Sequence, residues 1–388
     1  MDQMDKCWTL LVGLCLVILF AGCGDSASKN TPPPQPTRSS TATQASAALT
    51  PSPATTQPTD NILAEVDAFL NKRVALQQFS GAVLIARDGA ILVSKGYGLA
   101  DRAQNIPNRP QTKFRLGSLT KQFTALAILQ LQARGKLNVQ DPVCQYVADC
   151  PTAWQAITLH HLLTHTAGVP DLTHFPEYER TKATPSTPSQ TIARFKDKPL
   201  DFPPGTKWDY SNSNYILLGA VIEQASGKTY AQFIQENIFA PLQMTNSGYE
   251  DAQSPLAIGY ANANAVAEPI DMSIPFAAGG LYSTVEDLYR WDQALYTEKI
   301  LPQKLRDLLF TPFAAIPDSG GMSYGYGWVI GEQFNHHVVT HNGGIEGFVS
   351  SISRFPADKV VIIVLCNQQD VNPNEISGQL VRIVFGIK

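Results

Sequence analysis

The sequence predicts an α/β domain of the α+β kind: an antiparallel sheet flanked by helices, with a helical subdomain inserted between its first and last strands. Three observations predict it. Near the front, "GAVLIARDGAILVSKGY" gives two apolar runs joined by Asp88-Gly89, a dipeptide that suits a tight hairpin. Near the end, "HHVVTH", "GFVSSISRF" and "KVVIIVLCN" read as further strands. Between them, from about 140 to 275, helical pieces such as "ITLHHLLTH" and "YILLGAVIEQASG" alternate with Pro- and Gly-rich loops. Strands at both ends with helices in the middle imply one sheet fed by both ends of the chain.

The elements follow in order. "LLVGLCLVILFAG", Leu10 to Gly22, is an apolar run too short to span a bilayer but suited to the core of a signal peptide over residues 1–22. Phe20-Ala21-Gly22-Cys23 is similar to a bacterial lipobox, with Cys23 as the lipidated residue. Phe20 stands where leucine is commoner, and "MDQMDK" carries two aspartates against one lysine, so a plain secretory signal or an uncleaved anchor is the alternative. The rest of the 23–60 segment is rich in Pro, Ser, Thr, Ala and Gln. It holds too little apolar surface to offset its ordering entropy, and its prolines keep it extended. A tether behind a lipid anchor fits, placing an exported, extracytoplasmic domain, residues 61–388, off a bacterial membrane.

Residues 61 to 78 show apolar residues at helical spacing. After the hairpin, "SLTKQFTALAILQLQARG" is apolar nearly all round, which predicts a buried helix beginning near Ser118 and stopping at Gly135. "TVEDLYRWDQALY" is amphipathic, "PAD" turns between the last two strands, and a last helix starts near 374.

The formal net charge of −4 and the lack of any basic block give a nucleic-acid role no support. Cys144 and Cys150, six apart in an exported chain, suit a small-loop disulfide, with two free thiols as the alternative. Cys366 ends an apolar run and reads as buried and inert. His161 and His165 are four apart, but no glutamate lies between them in the H-E-x-x-H manner, so no metal and no cofactor is expected. His336 and His337 cannot share a strand face.

Chemistry concentrates at Ser118 and Lys121. A serine hydroxyl needs a base within hydrogen-bond reach and donors for its developing oxyanion. Residues i and i+3 share a helix face, so Lys121 can reach Ser118. Burial would lower its pKa toward that of a useful base. A helix cap at Ser118 is the bland alternative, and Ser26 with Lys29 in the tether has the same spacing. Tyr210 and Asn212 stand in a loop just before a helix and can point into one cleft; Tyr260-Ala261-Asn262 repeats that spacing in a stretch that reads as surface. His341-Asn342-Gly343 ends a strand, with Gly344 next, where backbone lies open to a ligand.

In this order, Ser-x-x-Lys, Tyr-x-Asn and His-x-Gly resemble the motifs of the serine β-lactamase and penicillin-binding protein superfamily. "ITLHHLLTHTAGVPD", "AAGGLYSTVEDLYRW" and "YGYGW" resemble its branch of class C β-lactamases, D-alanyl-D-alanine carboxypeptidases and serine esterases. The likeness spans about residues 62 to 388 and implies a β-lactamase/transpeptidase-like fold. It implies Ser118 as acylated nucleophile, Lys121 and Tyr210 as the proton-transfer pair, and Asn212 orienting Lys121 and substrate. The backbone N–H groups of Ser118 and Gly344 would form the oxyanion hole. His341 stands where the motif usually has lysine, and Asn342 where it has Thr or Ser. A histidine titrating near its ordinary value of about 6.5 binds a carboxylate less firmly at neutral pH than lysine does. That favours a carboxypeptidase-like or esterase-like hydrolase over a β-lactamase, with a slowly deacylating penicillin or muropeptide sensor as the non-enzymatic alternative. The substrates implied are peptidoglycan peptides, esters, amides or β-lactams.

Overall fold

Asp88-Gly89 joins β1 (Gly81–Arg87) to β2 (Ala90–Tyr97). Both turn residues take positive φ, 51° and 78°, which matches a two-residue turn to the twist of its strands. The computed structural model describes residues 59–251 and 254–388. The expected signal segment, Cys23, the tether up to residue 58 and the Ser26/Lys29 pair lie outside these residues.

Six strands from the other end complete the sheet: β3 (Ala314–Ala315), β4 (Ser323–Tyr324), β5 (Val329–Gln333), β6 (His336–Ile345), β7 (Phe348–Phe355) and β8 (Val360–Cys366). The order is β3-β4-β5-β6-β7-β8-β1-β2, antiparallel throughout. β8 lies beside β1, with Cys366 opposite Gly81, so both ends of the chain do build one sheet. Two-residue strands such as β3 and β4 carry no periodicity, and the sequence does not announce them.

The principal helices are α1 (Thr59–Ala75), α2 (Thr120–Ala133), α3 (Leu159–Leu163), α4 (Tyr178–Thr181), α5 (Asn212–Ser226), α6 (Val285–Ala294) and α7 (Pro373–Phe385). Strand residues alternate between two cores. Leu84, Ile363 and Leu365 face the core built on α2 and α5. Val83, Ile85, Ile362 and Val364 face the core covered by α1 and α7. With both faces covered, β1 is apolar and buried from Gly81 to Ala86, and β8 along its whole length.

α2 is buried from Thr120 through Leu131, and Gly135 beyond it takes φ of 66°. α5 ends on Gly227 in the left-handed conformation, which lacks the Cβ penalty there. Thr284 caps α6 by accepting from Asp287 N at 3.1 Å. Cys144 and Cys150 are joined in a disulfide with Cα atoms 5.3 Å apart. Cys366 is a free, buried thiol that burial pushes up to about 12. Tyr260 departs from the surface reading: it is 5% exposed. Its hydroxyl accepts from Arg102 N, and the Arg102 guanidinium covers its ring. An aromatic ring stacked by arginine is buried even within a polar stretch.

Candidate active site

Ser118 does not cap α2. It lies in a 3-10 turn, Gly117–Leu119, and the α2 N-cap position is Leu119, with no side-chain cap bond. The Ser118 hydroxyl is therefore not spent on the helix. Two glycines set the turn's position. Gly117 has φ of 53°, and a Cβ on it would stand 2.8 Å from Gly344 O. A Cβ on Gly343 would stand 2.0 Å from Leu116 O, where no side chain fits. The nucleophile turn is thus pressed against β6.

β6 is paired with β7 along its length from Val339 to Ile345, but its pairing with β5 ends at Thr340. The edge from His341 to Ile345 leaves β5 and meets the Ser118 turn instead. Gly344 is exposed there, beside Gly117. This brings the backbone of Ser118 and Gly344 to opposite sides of one opening.

Lys121 is fully buried in the first turn of α2. Its Nζ lies 3.0 Å from Ser118 Oγ, 2.8 Å from Asn212 Oδ1 and 2.9 Å from Ala278 O. Burial lowers its pKa to about 7, and the Asp171 carboxylate opposes this only partly. Tyr210 hydrogen-bonds Ser118, and burial pushes its hydroxyl upward, so it stays protonated at neutral pH. Its ring centre lies 4.8 Å from Lys121 Nζ.

Asp171 fixes the amide of Asn212. Its Oδ2 accepts from Asn212 N at 3.1 Å and from Asn212 Nδ2 at 2.9 Å. A carboxylate only accepts, so the amide must turn Nδ2 to Asp171 and Oδ1 to Lys121. His165, at φ of 59°, supports the same loop from behind. Its Nδ1 accepts from Ser211 N at 3.2 Å, and its ring lies 4.3 Å from that of Tyr210. Burial and the Lys121 cation hold this imidazole well below its ordinary pKa, hence neutral.

His341 does not titrate near 6.5. Burial first, then the nearby Lys121 cation, lower it to about 4. Its Nδ1 is 2.6 Å from Asn342 O, a carbonyl that can only accept, so Nδ1 carries the proton. In the neutral ring Nε2 then accepts the hydroxyl of Tyr324 at 3.0 Å. Both ring nitrogens are engaged. The Asn342 side chain leaves the site as well: alternation along β6 turns it to α7, where its Nδ2 bonds Asn374 Oδ1 at 2.6 Å.

Ser118, Lys121, Tyr210, Asn212, His341, Gly343 and Gly344 therefore converge, while the side chain of Asn342 does not. Asp171, His165 and Tyr324 join them. They stand in "HTAGVPD" and "YGYGW", whose only signal in the sequence is family likeness. His160 and His161 serve structure: His160 Nδ1 pairs with Tyr326 Oη at 2.7 Å, and His161 Nδ1 accepts from Thr158 N in a capping box.

The sequence profile of the β-lactamase family matches residues 66–383. The chain belongs to the β-lactamase family. The Bacillus subtilis protein PbpX, which carries a penicillin-binding-protein name, is 36% identical over 301 residues, 75% of this chain and 71% of that protein. The octameric penicillin-binding protein homologue from Pyrococcus abyssi superposes with a TM-score of 0.76 at 30% identity, over 84% of this chain and 77% of that one. A D-stereospecific amidohydrolase from Streptomyces superposes with a TM-score of 0.69 at 26% identity, over 83% of this chain and 98% of that one. This β-lactamase-family protein is a serine hydrolase with the antiparallel, helix-flanked fold of the penicillin-binding proteins.

Proposed function

We propose that the enzyme hydrolyses esters or amides whose leaving group carries no carboxylate, through an acyl-enzyme on Ser118. Lys121 and Tyr210 move the proton, Asn212 orients Lys121, and the N–H groups of Ser118 and Gly344 receive the oxyanion. The observation that carries the substrate preference is His341, neutral and with both nitrogens already bonded. A charged donor at this place would favour a carboxylate; a saturated neutral imidazole does not. Asn342, bonded to Asn374, adds no donor.

The test is a matched pair: an N-acyl D-Ala-D-Ala peptide and the same peptide with its terminal carboxylate capped as an amide. The capped peptide should be cleaved at least as fast between pH 5 and 8. A preference of about tenfold or more for the free carboxylate, the scale of one good polar contact, would sink the reading. It would favour the second reading, a D-alanyl-D-alanine carboxypeptidase, to which the penicillin-binding names of the relatives lend support. Penicillins carry a carboxylate too, so they should acylate Ser118 slowly; a fast, lasting adduct would instead point to a sensor.

We further propose that residues 1–22 direct export and that Cys23 is lipidated, leaving the hydrolase on an extracytoplasmic tether. The support is the short apolar run followed by Phe20-Ala21-Gly22-Cys23. Among the described residues no helix is long and apolar enough to cross a membrane. In a bacterial host, an alkyne-bearing fatty acid should label the full chain and fail to label Cys23→Ala. Equal labelling of both would refute lipidation at this residue.

A further inference from the structure

The catalytic geometry gives the cleft a direction. The proton for the leaving group must come through Tyr210, whose ring lies 6.3 Å from that of His341 and 6.4 Å from that of Tyr324. The leaving group therefore departs toward the His341 end of β6. The acyl group, with its oxygen toward Gly344, runs the other way along the open strand edge, past Ile345 to Glu346.

A charged pair stands at that end. Glu346 sits at the tip of the β6–β7 hairpin, with its carbonyl 3.5 Å from Arg115 Nη1. Its carboxylate is 3.1 Å from Lys182 Nζ, which comes from the segment just after α4 and also bonds Glu179. The Lys182 carbonyl accepts from Asp271 N at 2.9 Å, so this segment is anchored. The side chains of Lys182 and Glu346 are 9% and 14% exposed. A pair so desolvated is a built contact and not a transient surface one. Glu346 follows the end of β6 directly, two residues past Gly344, which puts the pair at that end of the opening beside Ser118. Glu346 also borders a second cleft, of about 350 Å³, lined by Arg115, Glu250, Gly259 and Phe348.

From this placement we infer that the Lys182–Glu346 pair is the end wall of the acyl subsite and restricts the enzyme to short acyl groups. The inference rests on the acyl-enzyme reading above. It assigns Lys182 and Glu346 a part in specificity, not in bond-making: their charged groups are engaged with each other and, for Lys182, with Glu179.

The experiment measures kcat/KM for p-nitrophenolate release from p-nitrophenyl acetate and p-nitrophenyl octanoate, which reports the steps up to acylation whether or not deacylation is fast. The wild type should favour acetate by about tenfold or more, the scale on which a pocket of fixed size discriminates. Lys182→Ala with Glu346→Ala removes both charge and bulk and should raise the octanoate-to-acetate ratio by about tenfold. Lys182→Met with Glu346→Gln keeps the bulk and should hold the wild-type ratio. A wild-type ratio near one overturns the wall without recourse to any variant, as does a ratio the double alanine variant leaves unmoved. No p-nitrophenolate release from either ester, or release that Ser118→Ala leaves unchanged, overturns the acyl-enzyme reading itself, and the wall with it.

Discussion

Ser118→Ala should abolish covalent labelling by any acylating probe and lower ester turnover by about 10⁴-fold or more, while the fold survives. The structure separates these two effects. Ser118 is half-buried in the 3-10 turn ahead of α2 and makes no capping bond, so α2 loses nothing when the hydroxyl goes. The positions of its neighbours are held elsewhere: Gly117 against Gly344, Leu116 N to Leu281 O at 2.9 Å, and Leu116 O to Ser350 Oγ at 2.7 Å. What disappears is the contact with Lys121 Nζ, which keeps Asn212 Oδ1 and Ala278 O, and the bond to Tyr210. Losing these two partly exposed hydrogen bonds costs about 2 kcal/mol, a melting shift of a few degrees. Intact-mass spectrometry after incubation with a p-nitrophenyl ester or a β-lactam, beside a thermal melt, checks both halves. Labelling that persists in the variant would place the nucleophile elsewhere. A collapse of the melt would make Ser118 a structural residue after all.

Much of the frame was legible because it rests on local rules. Asp88-Gly89 demanded a tight turn and received one, with both residues at positive φ. The run after Lys121 was too apolar for a surface helix, and α2 is buried along it. β6, β7 and β8 lie where the apolar runs near the end of the chain placed strands. What stayed hidden depends on contacts made across the fold. Whether Ser118 caps a helix is decided by one turn of backbone, which composition does not encode. Asp171 looks like an ordinary loop aspartate until Asn212, 41 residues on, presents two N–H groups to it. The titration of His341 could not be read from its residue type. Its ordinary value belongs to water, and this ring sits against Tyr324 and the Lys121 cation with 5% of its surface exposed. The same holds for Asn342: the motif places it beside a substrate, but strand alternation hands its amide to α7.

Lys121→Ala should lower the acylation rate by about 10³-fold, within the range expected when a general base is lost, and Lys121→Arg should do no better. The reason lies in the number of protons on Nζ. Three oxygens surround it, those of Ser118, Asn212 and Ala278. As an ammonium it donates to all three and leaves Ser118 unactivated. As a neutral amine it gives its two hydrogens to Asn212 Oδ1 and Ala278 O, which can only accept, and its lone pair is left for the Ser118 hydroxyl. The amide orientation imposed by Asp171 therefore determines where the lone pair points. Because burial lowers Lys121 to about 7, the acylation rate should rise with pH through about 7 and then level. His341, lowered to about 4, should add no inflection between pH 5 and 8. The same shift has a mark in stability. The folded pKa lies below the unfolded value of 10.5, so between about 7 and 10.5 the unfolded chain binds the extra proton, and stability gained by this residue rises with pH across that window. Lys121→Met, which cannot titrate, should lose both the rise in rate near pH 7 and that rise in stability. A rate profile in the variant that still climbs through pH 7 would transfer the role of base to another group. Tyr210 would be the first to examine, although its own hydroxyl is held protonated by burial.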